Sequence, residues 1–318
     1  MRSGTMFAAL CGGLVLIGST QGEEAKPARK SIYDATADAR AQVEKTTAQA
    51  RKDGTRVLLM FGGDWCGWCH RLHSLFREDK EIATILFNEY QLVMIDTASP
   101  HADDILKEAS QGQEGMGYPF LAVYDADGKF LKGQRTGPLE EGDHHDPAKV
   151  KAFLDEWKVA ARDADAVVSE ALAKASSEGK RVFLRFGAPW CGWCHKLDDY
   201  LARPEVAKAL GDDFVLAKVD IDRMTHGADV MKKYRPDTSG GIPWFVVLDG
   251  KGEAHGTADA SFGNMGYPFE PKEIDAFVKL LESQGTLDRA RLDTLRKSLE
   301  SAADDIKAQM EKRKAARG

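Results

Sequence analysis

Short apolar runs alternate with longer amphipathic segments over most of the chain, and the same order of segments occurs twice. The apolar runs have the length of buried strands, and they are 57–61, 91–96, 119–125, 182–186, 214–222 and 243–249. Segments with apolar residues three and four positions apart predict helices, and these are 32–52, 147–158, 164–178 and 271–283, with one more directly after each of residues 69 and 194. Strand–helix–strand followed by a hairpin and a helix is typical of an α/β fold, here a mixed central sheet with helices on both faces.

The two sets of segments are copies of one unit. They superpose as 53–72 on 178–197 at a shift of 125 residues, and as 118–128 on 242–252 at a shift of 124. So long a match with a single-residue insertion or deletion indicates duplication of a whole domain rather than of a motif. We therefore expect two tandem domains, a first repeat at 31–158 and a second repeat at 159–284, joined by a short helical connection.

The remaining C-terminal region, 286–318, has a different pattern. Apolar residues at helical spacing lie in a highly charged background, at Leu292, Leu295, Leu299, Ala302 and Ile306. This spacing predicts an amphipathic helix that packs on the second repeat. Fewer than three heptads are available, which is short for a coiled coil. A dimer through this helix is the alternative.

The N-terminus has the pattern of a secretory signal peptide. Arg2 supplies a positive start, residues 5–18 are apolar, and small and polar residues precede a charged stretch. The apolar run is shorter than the roughly 20 residues that a spanning helix needs, so cleavage near Gly22 is favoured over an uncleaved membrane anchor. We expect residues 1–22 to be removed and the mature protein to be exported to the periplasm or the cell exterior, with no membrane span.

Composition and charge narrow the possible partners. Hydrophobic residues make up 43% of the chain, which is enough for a packed core. The formal net charge of −6 argues against a nucleic-acid binder or a polybasic membrane-surface protein. Of the five cysteines, Cys11 lies in the apolar N-terminal run and the other four form two C-x-x-C pairs. Four cysteines are too few for a disulfide scaffold and too regularly placed for incidental thiols.

Each cysteine pair lies in a Trp-Cys-Gly-Trp-Cys segment between a predicted strand and a predicted helix. The first cysteine, Cys66 or Cys191, is expected near the helix N-cap with its sulfur exposed, where the helix dipole and free amide groups stabilise a thiolate. The second, Cys69 or Cys194, lies one turn later and is expected to be more buried and protonated. This division into a nucleophile and a resolving thiol is what thiol–disulfide exchange requires.

The whole arrangement resembles the thioredoxin superfamily. The resemblance rests on FGGDWCGWCH with GYPF in the first repeat and FGAPWCGWCH with GIPW in the second. It implies a thioredoxin fold and a redox-active disulfide in each repeat, protein thiol or disulfide substrates, an external electron donor or acceptor, and no cofactor or metal. It also implies that Pro119 and Pro243 are cis and face the two motifs. The expected substrate-binding and supporting residues are Trp65, Gly67, Trp68, Tyr118, Pro119, Trp190, Gly192, Trp193, Ile242 and Pro243.

Two departures from the thioredoxin pattern bear on activity. Thioredoxins carry a buried Asp six residues before the first cysteine, and here Met60 and Arg185 stand at those positions. Proton transfer to the resolving thiol must then use water or another group. The Gly-Trp dipeptide lacks the histidine that favours the thiolate, so reduction or isomerisation is favoured over strong oxidation. Tyr118 in one repeat against Ile242 in the other suggests that the two sites differ.

Three other interpretations remain open from the residues alone. C-x-x-C-H is also the attachment signature of c-type haem, with His70 and His195 as axial ligands. The four cysteines could form a zinc site, although 121 residues separate the pairs. One or both repeats could be a binding module with little catalysis. Two further segments, 144–146 and the second copy of MGYPF at 265–269, are interpreted as loops before the last helix of each repeat.

Overall fold

The fold is described from a computed structural model that covers Met1, residues 30–112 and residues 115–316. The predicted signal peptide at 1–22, with Cys11 in it, lies outside the described residues after Met1. Among the residues that are described, no helix is both long enough and apolar enough to cross a lipid bilayer.

Two four-stranded sheets form the centre of the structure. In chain order the strands are β1 (Arg56–Gly62), β2 (Tyr90–Asp96), β3 (Phe120–Tyr124), β4 (Phe130–Arg135), β5 (Glu140–Glu141), β6 (His144–His145), β7 (Arg181–Gly187), β8 (Phe214–Asp220), β9 (Trp244–Leu248), β10 (Ala254–Thr257), β11 (Asp259–Ala260) and β12 (Gly263–Asn264). The first sheet has the order β2-β1-β3-β4 and the second β10-β9-β7-β8. In each sheet the first two strands in sequence are parallel, while the third pairs antiparallel with the first. The predicted mixed sheet is thereby confirmed.

Helices cover both faces of each sheet. They are α1 (Ala39–Asp53), α2 (Gly67–Glu78), α3 (Lys80–Glu89), α4 (Ala102–Ala109), α5 (Pro147–Trp157), α6 (Ala164–Glu178), α7 (Gly192–Leu201), α8 (Pro204–Leu210), α9 (Gly227–Tyr234), α10 (Pro271–Gln284) and α11 (Arg289–Ala315). Helices α2 and α7, which begin in the C-x-x-C segments, are each followed at once by a short helix, α3 or α8. The apolar spacing did not predict these short helices. Helix α4 lies between β2 and β3, and α9 lies between β8 and β9, where the sequence pattern predicted no helix.

Two boundaries differ from prediction for a physical reason. Helix α1 begins at Ala39 rather than residue 32, because the carboxylate of Asp38 accepts the amide hydrogen of Ala41 and caps the helix there. The connection between the repeats is not helical. Helix α5 ends at Trp157, and Asp163 caps α6 by accepting from the amide of Ala166.

The hydrophobic core of each repeat is built around the central strands of its sheet. Strands β3 and β9 are buried along their whole length, and β1 is buried from Val57 onward. Strands β1 and β7 lie between a parallel and an antiparallel neighbour with helices on both faces, which explains why they are largely apolar after their first residue, with Arg185 of β7 as the exception. Because β1 and β7 end at Gly62 and Gly187, both C-x-x-C segments leave the sheet at the same edge of their repeat.

The C-terminal helix α11 packs on the second repeat. Its apolar stripe includes Leu295 and Leu299, which are fully buried. The Tyr200 hydroxyl of α7 donates to the carbonyl of Leu295 at 3.1 Å, and Arg291 donates to the carbonyl of Ala209 at the end of α8. The helix is therefore bonded directly to the helix that carries the second cysteine pair. A dimer through α11 remains a prediction.

Candidate active site

Both cysteine pairs lie at the start of a helix, in the same geometry. Cys66 is the N-cap of α2 and Cys191 is the N-cap of α7. In each pair the first sulfur accepts a hydrogen bond from the amide of the second cysteine at 3.1 Å. The first sulfur thus occupies the place of the side-chain oxygen in an ordinary N-cap, next to amide groups that favour negative charge.

Both pairs are closed as disulfides. The Cα atoms are 5.3 Å apart in Cys66–Cys69 and 5.2 Å apart in Cys191–Cys194. The expectation that the first sulfur is exposed is wrong for this state: Cys66 is 4% exposed and Cys191 is 5% exposed. Because the sulfur is bonded to its partner and accepts the partner's amide hydrogen, it points back over the helix instead of into solvent.

Exposed indoles border each disulfide. Trp65 and Trp190, which precede the first cysteines, are 68% and 58% exposed. Trp65 meets the ring of Tyr118 edge-on at 5.6 Å, whereas Trp190 donates its indole hydrogen to Asp222 at 2.7 Å. The two indoles are therefore held by different partners. Gly67 and Gly192, between the cysteines, are exposed and have open space where a Cβ would lie.

The X-Pro segments lie at the start of the third strand of each repeat. The Tyr118–Pro119 and Ile242–Pro243 bonds are both cis. Pro243 lines a small cavity together with Cys194, and Tyr118 packs against the apolar cluster that contains Cys66 and Cys69. The structure thus brings each X-Pro segment to its cysteine pair.

The tryptophans inside the motifs pack on different elements in the two repeats. Trp68 meets the ring of His145 edge-on at 5.2 Å. His145 is only 3% exposed, so the interpretation of 144–146 as a polar loop is wrong at this residue. The segment instead forms strand β6 in a small hairpin with β5, which turns His145 inward.

The second copy of MGYPF lies beside the second site. Trp193 stacks on Tyr267 at 5.8 Å and contacts Phe269 at 5.7 Å. A Cβ on Gly266 would lie 3.8 Å from the carbonyl oxygen of Pro243. Its position in a loop is as predicted, but its contact with the site was not expected. The first copy of the pentapeptide therefore contains the cis-proline Pro119, whereas the second copy packs against Trp193 and lies near the cis-proline Pro243.

The surroundings of the two C-x-x-C-H segments do not favour a c-type haem. His70 and His195 are both half-buried and hydrogen-bonded. The Nε2 atom of His70 donates to the carbonyl of Asp64 at 3.0 Å, and that of His195 to Pro189 at 2.8 Å. This bond leaves Nδ1 as the one nitrogen of each imidazole that could bind iron, and the thiols that haem attachment would take are joined to each other.

A shared zinc site also finds no support in the donor geometry. The four cysteines are bonded in pairs within each repeat, which leaves no thiolate to converge on one metal. Within 30–112 and 115–316, two groups could hold a metal ion, and neither contains a cysteine: Asp163 with Asp165 and His226, and Asp249 with Glu253 and His255. Their acidic side chains already cap helices or turns.

Sequence reasoning missed a half-buried charge cluster beside Cys194. Arg185 donates from Nε to Asp198 at 2.6 Å, and Lys218 donates from Nζ to the other oxygen of the same carboxylate at 2.6 Å. Burial alone would raise the pKa of Asp198, but the charges of Arg185 and Lys218 and their hydrogen bonds outweigh it and hold the pKa below its usual value. The only sequence signal was the position of Asp198 four residues after Cys194, on the same helix face.

A mixed sheet of this order, with a C-x-x-C disulfide at the N-terminus of the helix after the first strand, defines a thiol–disulfide oxidoreductase. Comparison with known proteins agrees with this class. A family model described as thioredoxin-like matches residues 38–126 and 163–250, which together make up more than half of the chain. The chain therefore belongs to the thioredoxin-like family, once in each repeat, and the predicted resemblance is confirmed.

Curated relatives include two protein disulfide-isomerases. Protein disulfide-isomerase 1 of Dictyostelium discoideum is 24% identical over 286 residues, a match that covers 82% of this chain and 71% of that protein. Protein disulfide-isomerase erp38 of Neurospora crassa is 28% identical over 184 residues, covering 55% of this chain and 46% of that protein. Among solved structures, a disulphide isomerase from Xylella fastidiosa Temecula1 matches at 25% identity and a TM-score of 0.35, over 41% of this chain and 98% of that one.

Proposed function

We propose that both C-x-x-C pairs exchange disulfides with protein substrates. Cys66 and Cys191 act as nucleophiles, and Cys69 and Cys194 resolve the mixed disulfides. The observation that carries this proposal is the position of both first sulfurs at a helix N-cap, each bonded to the second cysteine. An N-cap sulfur gains from the helix dipole when it becomes a thiolate, the species that attacks a disulfide.

The reductive cycle balances two electrons and two thiols. The Cys66 thiolate attacks one sulfur of a substrate disulfide, which releases the other substrate sulfur as a thiolate and leaves a mixed disulfide. Cys69 then loses its proton and attacks the sulfur of Cys66, which releases the second substrate thiolate and closes the C-x-x-C disulfide. The substrate has gained two electrons that the dithiol has lost, so another turnover requires an external dithiol or thiol donor.

The borders of the sites are suited to unfolded or extended protein segments. Exposed indoles of Trp65 and Trp190 offer large apolar contact area at low entropic cost. The backbone of Tyr118 and Ile242, beside the cysteines at the start of β3 and β9, would pair with a substrate segment as an added strand. Gly67 and Gly192 leave the approach to the first sulfurs free of side chains.

The direction and place of action are part of the proposal. Reduction or isomerisation is favoured over strong oxidation, because the Gly-Trp dipeptide supplies no additional thiolate-stabilising histidine. The names of the two disulfide-isomerase relatives support the same class of substrate. The signal-peptide pattern of residues 1–22 supports export to an oxidising compartment, where protein disulfides persist.

The test compares the chain with Cys66→Ser, Cys191→Ser and the double variant. Reduction of insulin with glutathione as donor and reactivation of a protein with scrambled disulfides are followed separately. Each single variant should retain the activity of one site, and the double variant should lose both activities. A double variant that works as well as the unmodified chain would contradict the proposal. A single variant that loses as much activity as the double variant would show that only the site it changes is active.

A further inference from the structure

The charge cluster of the second repeat lies directly beside its resolving cysteine. Cys194 and Asp198 are four residues apart on α7, and both line one small cavity with Arg185 and Lys218. The position that a Cβ would take on Gly187 is 3.3 Å from the sulfur of Cys194 and 4.0 Å from Cε of Lys218. The sulfur and that carbon are thus within about 7 Å of each other, close enough for the ammonium group that Cε carries to act on a charge at the sulfur.

The first repeat has no such cluster at the matching positions. Strand pairing makes Met60 the counterpart of Arg185 and Met94 the counterpart of Lys218, and the shift of 125 residues makes His73 the counterpart of Asp198. Burial is the largest cause that lowers the pKa of His73, so the protein favours its neutral imidazole and no carboxylate stands at this position. Met60 and Met94 belong to the apolar cluster that contains both cysteines. The equivalent disulfides therefore have different surroundings, which are apolar in the first repeat and charged in the second.

Other charged groups near the two sites also bear on the difference between them. Asp96 and Asp220 end the equivalent strands β2 and β8 and are present in both repeats. Asp64 stands before Trp65, where the second repeat has Pro189, and its negative charge opposes a thiolate at the first site only. Near the second site Asp199 is paired with Lys52, whereas Asp222 accepts from the neutral Trp190 indole, keeps its negative charge and opposes a thiolate there. Of the cations, Arg71 lies over the exposed side of Trp68 at the first site.

We propose that the Arg185–Asp198–Lys218 cluster stabilises the reduced, thiolate-bearing form of Cys191–Cys194 and makes it the more readily reduced of the two disulfides. Two cations and one carboxylate leave a net positive charge beside Cys194, and this charge also acts on the adjacent sulfur of Cys191, whose thiolate it favours. A disulfide becomes a stronger oxidant when its reduced form is stabilised. This inference rests on the proposed function, and it assigns the two sites different places on the redox scale.

The reduction that the cluster favours is balanced with glutathione as the donor. Two glutathione molecules supply two electrons and two protons and leave as glutathione disulfide. The sulfur–sulfur bond of Cys191–Cys194 breaks to give one thiol and one thiolate, and the second proton is released to solvent. Because the cluster acts on the thiolate, its effect is greatest at a pH where one sulfur stays ionised.

The experiment measures each site alone in the full chain. Cys66→Ser with Cys69→Ser leaves the second site, and Cys191→Ser with Cys194→Ser leaves the first. Both proteins are equilibrated in glutathione buffers at pH 7, and free thiols are trapped with a mass-shifting alkylating reagent. We expect the second site to be reduced about tenfold more readily in the equilibrium constant, which corresponds to about 30 mV for two electrons.

Charge variants of opposite sign separate an electrostatic role from a structural one. Lys218→Met removes a positive charge and should shift the second site toward the first, whereas Asp198→Asn removes the negative charge and should shift it further away. Arg185→Met should act like Lys218→Met and replaces it if the Lys218 variant does not fold. The matched controls are Met94→Leu at the equivalent position of the first repeat and Lys208→Met, which removes a charge from an exposed position.

Equal equilibrium constants for the two sites would overturn the inference, as would shifts of the same sign for Lys218→Met and Asp198→Asn. Failure of the proposed function looks different. Cysteines that never equilibrate with glutathione would overturn both proposals. Cysteines that equilibrate at different potentials but do not act on protein substrates would contradict the proposed function and leave the charge effect standing.

Discussion

Arg223, in the loop after β8, pairs with Glu89 at the end of α3 and so joins the two repeats. Their closest charged atoms are 3.2 Å apart, and their side chains are 16% and 12% exposed. Arg223 also donates to the carbonyls of Asp53 and Gly54 at 3.0 and 2.7 Å. A single guanidinium of the second repeat thus satisfies one carboxylate and the C-terminal end of α1 in the first.

Replacing Arg223 with Ala should loosen this junction. The change leaves the carboxylate of Glu89, which is 12% exposed, and two carbonyls without their donor, which costs about 1–3 kcal/mol. Urea unfolding should show a lower midpoint, and proteolysis should cleave the connection around residues 158–163 faster. The control is Arg162→Ala, which removes an exposed pair with Glu170 and should cost less than about 1 kcal/mol. Equal effects of the two variants would contradict a special role for Arg223.

The buried imidazole of His145 should make stability depend on pH. Burial is the largest cause that lowers the pKa of His145, to about 4, with smaller effects of Arg71 and His144. The unfolded chain takes up this proton near pH 6.5 and the folded chain only near 4. The folded state therefore keeps its full stability above pH 6.5 and loses it as the pH falls from 6.5 toward 4.

His145→Phe tests that dependence, because it keeps a ring beside Trp68 and cannot be protonated. The unmodified chain should lose about 1–3 kcal/mol of unfolding free energy more than the variant between pH 7 and 4.5. Urea unfolding followed by far-UV circular dichroism at both pH values measures the difference. His144→Phe, at the exposed neighbouring position, serves as the control and should retain the pH dependence. Parallel pH profiles for His145→Phe and the unmodified chain would rule out this origin.

The exposed indoles before the first cysteines should affect protein substrates more than small thiols. Trp190→Ala and Trp65→Ala each remove apolar contact area without touching a sulfur. We expect kcat/KM for insulin reduction to fall about threefold to tenfold in a chain with only the matching site active. The rate with glutathione disulfide should change little, because that small substrate does not need the apolar border. Equal losses with both substrates would indicate that the indole shapes the disulfide itself.

Gly62 and Gly187 end equivalent strands, but they should differ in their tolerance of a methyl group. A Cβ on Gly62 would overlap the sulfur of Cys69 and lie 2.6 Å from the hydroxyl oxygen of Tyr33. The same atom on Gly187 would lie 3.1 Å from the Cβ of Cys194 and 3.3 Å from its sulfur. Gly62→Ala should therefore cost about 1–3 kcal/mol and slow the first site, while Gly187→Ala should cost less. Thermal unfolding of the two variants checks the order, and the reverse order would contradict it.

Helix α11 should contribute to the stability of the second repeat. Leu299 is fully buried, so Leu299→Ala leaves a cavity and should cost about 2–4 kcal/mol. Met310 lies on the same helix but is 46% exposed, and Met310→Ala should change the unfolding free energy little. Chemical unfolding compares the two variants. Sedimentation of the unmodified chain tests the predicted dimer separately, because Leu299 is buried against the second repeat and is not available to a seam between two chains.

Much of the fold follows from local sequence, because its signals act over a few residues. The apolar runs located every central strand, and the Trp-Cys-Gly-Trp-Cys segments located the N-termini of α2 and α7. Helices α3 and α8 were missed although they carry ordinary start signals. Asp79 accepts from the amides of Glu81 and Ile82, and Pro204 occupies the first turn of α8. Their helical spacing is too short to stand out beside the longer helix before each of them.

The parts that could not be predicted depend on contacts between distant segments. Arg185 was visible only as a departure from the thioredoxin pattern, because its partner Asp198 is on a helix and Lys218 is on the neighbouring strand. His145 looked like part of a polar loop, since its burial depends on a hairpin that folds it against Trp68. The packing of the second MGYPF copy on Trp193 likewise requires the tertiary fold. The residue types indicated thiol–disulfide chemistry. The charges and rings that surround each disulfide depend on contacts between helices and strands that are distant in the sequence.

The attachment of α11 sets a limit on how this protein can be divided. Tyr200, on the helix that carries Cys194, donates to the backbone of α11, and the neighbouring helix α8 is bonded to Arg291. Anyone who transplants the second redox centre into another scaffold must carry the C-terminal helix with it. A cut after Gln284, where the repeat in the sequence ends, would leave the Tyr200 hydroxyl without its acceptor and uncover the apolar side of α10. The transferable unit at the C-terminal end is therefore longer than the duplicated one.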